Sequence, residues 1–102
     1  MTRERLPNRR AATTFGVEVN GLRYTATAGR LPDGRLGELF LTNHRTNSQA
    51  DTNARDSAIV FSFAVQHGAD PRAIRRALCR DSCGRASGPL GAALDFLLGD
   101  EA

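Results

Sequence analysis

A chain of 102 residues, 40% of them hydrophobic, suits one domain with a modest core and excludes a complete large enzyme with two lobes and a deep cleft between them. No apolar run approaches the roughly eighteen residues that cross a bilayer, and Thr2-Arg3-Glu4-Arg5 leads into no segment of the signal-peptide kind, so a cytoplasmic location without membrane contact is expected. All fourteen basic residues are Arg, which places the net charge of +3 in planar guanidinium groups suited to phosphate or carboxylate; the eleven acidic residues are interspersed, as on an ordinary solvated surface.

Residues 1–12 hold five charges, a Pro and few apolar residues, and read as a flexible basic arm carrying Arg3, Arg5, Arg9 and Arg10 ahead of a single domain over 13–98 and a short tail over 99–102. From Thr13 the pattern has period two: Phe15, Val17 and Val19 alternate with Thr14, Gly16 and Glu18, which predicts a strand. Asn20-Gly21 then signals a two-residue hairpin turn. The partner strand runs over 22–29, with Leu22, Tyr24, Ala26 and Ala28 on one face, and Leu31-Pro32-Asp33-Gly34 turns the chain into a third strand over 36–42. The result is a three-stranded antiparallel meander with one face to be covered.

Residues 43–52 are polar and rich in turn formers. After them Ala54, Ala58, Phe61 and Val65, together with Ile59, Val60, Phe63 and Ala64, predict a helix that is apolar nearly all round between 58 and 65 and therefore the buried centre, with Arg55 and Asp56 at its start. Gly68 supplies its stop, and His67 stands where its last carbonyls need partners. Asp70-Pro71 is an N-cap and first helical residue, opening a short helix through Ile74, Ala77 and Leu78 whose outer face shows Arg72, Arg75, Arg76 and Arg80. The final helix starts near Pro89, with Leu90, Ala93, Leu94, Leu97 and Leu98 at helical spacing and Asp95 opposite. No internal repeat is present. The fold class is therefore α+β: a three-stranded antiparallel meander packed against a central buried helix and two shorter ones. An edge strand of such a sheet leaves room for a homodimer.

Several stretches together resemble the TSCPD domain, a small module at the C-terminal end of cobalamin-dependent ribonucleotide reductases that also occurs as short free-standing bacterial and phage proteins. Leu6-Pro7-Asn8-Arg9-Arg10 is similar to its opening segment, residues 29–40 to its hairpin, and residues 58–68 to its central helix. The five residues that name the family stand here as Ala86-Ser87-Gly88-Pro89-Leu90, with Ser and Pro retained and the Thr, Cys and Asp replaced. The resemblance spans residues 6–98. It implies a non-catalytic accessory module associated with ribonucleotide reductase and deoxyribonucleotide synthesis, with the reductase or another protein as partner. It implies no cofactor for this chain alone, and cobalamin only through a partner reductase. Loss of the motif Cys removes the thiol that would carry over as a redox or metal-binding group.

The candidate site lies in the last quarter. Gly84-Arg85-Ala86-Ser87-Gly88-Pro89 offers close backbone approach, a hydroxyl and helix-terminal N–H groups, so Arg80, Arg85, Ser87 and Gly88 are the candidates for holding a nucleotide phosphate; the plain alternative is an ordinary helix cap at Ser87 or Gly88. Cys79 and Cys83 share one helix face if a helix runs through them. With His67 and a fourth ligand such as Asp81 they are metal candidates; with Arg76, Arg80 and Arg85 nearby they are redox candidates, and a thiol redox partner is one alternative function. Their spacing is not the redox-tuned CxxC, and as reduced thiols without a function they need neither role. Another alternative is a nucleic-acid-binding module using the arginine arm and the face from Arg72 to Arg80. His44 sits in a polar loop with no triad order around it, so catalysis is not expected there.

Overall fold

The period-two segment Ala12–Val19 forms strand β1 in the computed structural model, which describes residues 12–99; the predicted arm with Leu6–Arg10, and residues 100–102 of the tail, lie outside the described residues. Val19 pairs with Leu22 across Asn20 (φ 51°) and Gly21 (φ 79°). Both turn residues are left-handed, as a hairpin turn matching the strand twist requires. Strand β2 runs over Leu22–Arg30 and β3 over Leu36–Asn43, giving the antiparallel order β1-β2-β3. The second turn closes with Gly34 N–H donating to Leu31 O at 2.9 Å and Leu31 N–H to Arg35 O at 2.8 Å, after a register irregularity at Gly29/Arg30.

The alternation sends Phe15, Val17 and Val19 of β1, Tyr24, Ala26 and Ala28 of β2, and Leu39 and Leu41 of β3 to the helix-covered face. The opposite face carries Thr14, Thr27 and Phe40 in one cross-strand row, with the two Thr hydroxyls 3.2 Å apart. Leu39, Leu41 and Leu94 are fully buried in one cluster with Phe61, each such side chain contributing about 1.5–3 kcal/mol by leaving water.

Helix α1 spans Gln49–Gln66 and starts five residues before the expected Ala54, so Arg55 and Asp56 lie inside it rather than at its start. The cause is Ser48, whose Oγ accepts from Asp51 N–H at 3.1 Å, so the polar residues 49–53 form helical turns instead of a loop. The expectation of an all-round buried helix is also corrected. Ala54, Ala58, Phe61 and Val65 are buried, but Ile59, Val60 and Phe63 are 52%, 68% and 49% exposed. Sheet and α3 bury one side of α1, and the other side stays about half exposed or more at these three residues. The end of α1 follows the sequence: Gly68 (φ 100°) donates to Val65 O at 3.1 Å and Ala69 to Ala64 O at 3.0 Å, a Schellman motif.

Helix α2 is Pro71–Ala77, capped by Asp70 accepting from Arg72 N–H at 2.9 Å. Leu78, expected within it, has ψ 154° and is extended. Helix α3 is Pro89–Leu98. Helix α1 also closes the outer edge of β3. Ser62 Oγ accepts from Leu39 N–H at 2.8 Å and donates to Leu39 O at 3.1 Å, Gln66 Nε2 donates to Gly37 O at 2.7 Å, and Asp51 Oδ1 accepts from Asn43 N–H at 2.9 Å. Strand addition along β3 is blocked, so a homodimer by edge pairing is left with β1.

Candidate functional site

Because α2 stops at Ala77, residues 79–87 form a small closed loop rather than a helical turn. Arg80 and Ala86 bridge as antiparallel partners, Ser87 N–H donates to Cys79 O at 3.0 Å, and Asp81 N–H donates to Arg85 O at 2.8 Å. Asp81 organises the tip: its Oδ1 accepts from Cys83 N–H at 2.9 Å and Arg85 N–H at 3.0 Å, and Gly84 takes φ 83°. These bonds, led by the Arg85 N–H, hold the Asp81 carboxyl below the usual carboxylate range. The shared helix face for Cys79 and Cys83 therefore does not form, since an extended Leu78 ends the helix first. Both thiols are exposed. Among the described residues no three His, Cys, Asp or Glu side chains gather to hold a metal ion. His67 caps α1 as expected, its backbone N–H donating to Phe63 O and Ala64 O at 3.1 Å each and its Nδ1 lying 2.8 Å from Phe63 O.

The four phosphate-binding candidates are not aimed at one point. Arg80 donates through Nη2 to Asp95 Oδ1 at 2.6 Å and through Nη1 to Asp95 Oδ2 at 2.9 Å and Gly84 O at 3.0 Å. Arg75 Nε reaches Asp95 Oδ1 at 2.8 Å. Paired first with Arg80 and then with Arg75, and opposed by partial burial, the Asp95 carboxyl is pushed down to about 2. Asp95, which the spacing placed opposite the core, is thus the anchor of two arginines from the outer face of α2 and the loop beyond it. Arg85 is exposed and pairs with Asp81, Nε to Oδ2 at 3.3 Å. Gly88 is the N-cap of α3 and supplies no side-chain bond, while Ser87 contributes its backbone N–H to loop closure. Gly91 lets the loop approach α3, since a Cβ there would stand 3.0 Å from the Ala86 Cβ.

Sequence reasoning missed the joint between β3 and α1. Asp51, 1% exposed, accepts from Asn43 N–H at 2.9 Å, Asn47 N–H at 3.2 Å and Arg55 Nε at 3.0 Å. The Asn43 N–H leads the effects that hold its carboxyl below the ordinary range, against the opposing effect of burial. Asn43 in turn accepts from Arg45 N–H at 2.9 Å and donates to Arg23 O at 3.1 Å. The Ser48-x-x-Asp51 spacing was the signal that could have found it. His44 lies outside this joint, its Nε2 3.2 Å from Thr25 Oγ1 on the open sheet side.

Two clefts matter. One, of ≈ 410 Å³, runs between β3 and α1 with Phe40, Ile59, Ser62 and Phe63 in its walls. The other, of ≈ 420 Å³, lies between the β2–β3 turn and the α1–α2 corner and gathers Arg30, Arg35 and Arg72.

No family model matches the chain, and no solved structure matches it. Over 66 residues, 65% of the chain, it is 35% identical to a protein named vitamin B12-dependent ribonucleotide reductase from Agrobacterium fabrum. It is 33% identical, over 66 residues, to one of the same name from Bradyrhizobium diazoefficiens. The matched stretch is 5% of each relative, so the chain is similar to a small segment of a far longer protein.

Proposed function

We propose that this chain is a non-catalytic accessory module of the TSCPD type that docks onto a vitamin B12-dependent ribonucleotide reductase, and so serves deoxyribonucleotide synthesis by binding rather than by chemistry. The observation that carries this reading is the apolar band formed by Phe40 of β3 and Ile59, Val60 and Phe63 of α1, each about half exposed or more. Four such side chains present roughly 400 Å² of apolar surface, the size at which a patch on a monomer is commonly functional and about half of one side of a standard interface. The partner is inferred from the relatives, in which the similar segment is continuous with a reductase chain about twenty times its length. Arginine-driven nucleic-acid binding has less behind it, because Arg75 and Arg80 of the proposed basic face are engaged by Asp95.

The test is biolayer interferometry between the chain and a purified vitamin B12-dependent reductase from the same source. Wild type should bind, and an Ile59→Ser, Phe63→Ser pair should bind at least tenfold more weakly while still folding with a cooperative melt, since both side chains are about half exposed. Binding should persist at 0.5 M salt. No binding by the wild type, or binding that salt abolishes and the double substitution leaves intact, would remove the docking reading.

A further inference from the structure

We infer that the cleft between the β2–β3 turn and the α1–α2 corner binds a small polyphosphate, the size of a pyrophosphate group, either free or carried by a nucleotide. Three elements bring arginines to its lining: Arg30 from the end of β2, Arg35 from the turn and Arg72 from the first turn of α2. Two carboxylates line the same cleft, and both are already committed to the fold. Asp33 accepts from Arg35 N–H at 3.1 Å and from Arg35 Nε at 2.6 Å, and Asp70 accepts from Arg72 N–H at 2.9 Å. Asp33 is held below its ordinary range, first by that backbone N–H, so it stays ionised and keeps Arg35 in place. Among the described residues the lining of the cleft therefore has three arginines to two carboxylates.

Geometry favours a compact oxyanion. Arg30 is fixed by Nη1 donating to Gly34 O at 2.8 Å, one of the five N–H donors a guanidinium carries. Arg35 and Arg72 have further partners in the fold, and a ligand exchanges some of these for phosphate oxygens. Gly34, Gly68 and Ala69 keep the walls low, and the ≈ 420 Å³ volume falls in the range of small-ligand sites. Planar guanidinium forks engage phosphate in pairs of parallel bonds, which a bulky or flat ligand would not exploit. The lining contains no aromatic side chain, so a base has nothing to stack on. Nucleotides with different bases should bind alike, and pyrophosphate should bind nearly as well as they do. This site is separate from the apolar band and is read on the free chain, so its failure and that of reductase docking are distinguishable.

The experiment is a titration of the full ¹⁵N-labelled chain with sodium pyrophosphate, CDP and ADP at low salt. Saturable shifts centred on the amides of Gly34, Arg35, Gly68 and Ala69 are expected, with the three ligands within about fivefold of one another and affinity falling steeply with salt. Arg72→Gln, at an exposed position, should weaken binding at least tenfold, and Arg30→Gln should do the same; Arg76→Gln, exposed and outside the cleft, should leave it unchanged. If Arg30→Gln fails to fold, Arg72→Gln against Arg76→Gln decides. Absence of saturation by 10 mM pyrophosphate, or equal weakening by Arg72→Gln and Arg76→Gln, overturns the proposal. Strong preference for one base over pyrophosphate overturns it as well.

Discussion

Arg80 and Asp95 face each other as a two-pronged ion pair, with Nη2–Oδ1 2.6 Å and Nη1–Oδ2 2.9 Å, and this pair fastens the 79–87 loop to α3. Arg75 joins from α2 at 2.8 Å, so one carboxylate ties together a helix, a loop and a second helix around the end of the core. A residue that looked like a ligand donor is thereby a structural fastener. Asp95→Asn should lower stability by about 1–2 kcal/mol, since charge-assisted bonds at a partly exposed site are lost while shape is kept. Chemical denaturation at pH 7 measures it. The pH dependence has a definite sign. The folded carboxyl is pushed down to about 2 from an ordinary 3.8, so its contribution is complete above the ordinary value and disappears as pH falls from there toward 2. Thermal melts between pH 6 and pH 2 should show a smaller acid loss in Asp95→Asn than in wild type. Equal acid losses would assign that loss to other groups.

Asp51 should matter more than Asp95. Its two oxygens accept from Asn43 and Asn47 backbone N–H groups and from Arg55, and the bond to Asn43 is buried, where water cannot replace it. Asp51→Asn keeps one acceptor oxygen and puts an N–H group where the other stood, so one of the three donors is left opposed and the charge facing Arg55 is lost. The drop in Tm should exceed that of Asp95→Asn under the same conditions. Amide exchange at Asn43 and in the first turns of α1 should rise in step, because the same carboxylate holds both. A smaller drop than that of Asp95→Asn would show that the joint relaxes to admit another partner.

The sheet was legible because its signals are local. Period-two alternation over Phe15, Val17 and Val19, and the left-handed pair Asn20-Gly21, specify strand, turn and register without reference to the rest of the chain. The caps at Asp70 and Gly68 were legible for the same reason. The start of α1 was not, because residues 43–52 are polar and rich in turn formers, and it takes the Ser48 cap together with the contact of Asp51 to β3 to make 49–53 helical. Nor could periodicity decide which side of residues 58–65 meets the core, since apolar residues lie on both; tertiary packing leaves Ile59, Val60 and Phe63 outside. The charge pairing around Arg80 was not legible either. Fifteen positions of sequence separate Arg80 from Asp95, and no local rule reports that they meet.

The thiols offer a direct check on the redox alternative. Cys79 and Cys83 are exposed on a loop closed by backbone bonds and by Asp81, with no structural role for either sulfur among the hydrogen bonds of the loop. A thiol reagent should titrate both in the native protein without denaturant. A Cys79→Ser, Cys83→Ser pair should change stability by less than about 0.5 kcal/mol, as surface substitutions usually do. Reductase binding should also be retained. Loss of binding in the double variant, with Tm unchanged, would move the function to the thiols and away from the apolar band.

Gly91 sets the distance between the loop and α3, and two substitutions there separate helix propensity from packing. Alanine gains about 1 kcal/mol of helix propensity over glycine, but its Cβ would stand 3.0 Å from the Ala86 Cβ and 3.9 Å from a Leu78 methyl, so the neighbours must yield. Overpacking of this kind costs about 1–3 kcal/mol, which places Gly91→Ala near neutral or mildly destabilising. Valine brings two more carbons toward the same neighbours and lacks alanine's propensity, so Gly91→Val should be clearly destabilising. Its spectral changes should extend over residues 78–87, because the strain is relieved most easily by lifting the loop from α3 against the Arg80–Asp95 pair. Combining Gly91→Val with Asp95→Asn should then cost less than the sum of the two, since a loop already displaced has less of that pair to lose. Strict additivity would mean that the loop stays seated and the helix moves instead.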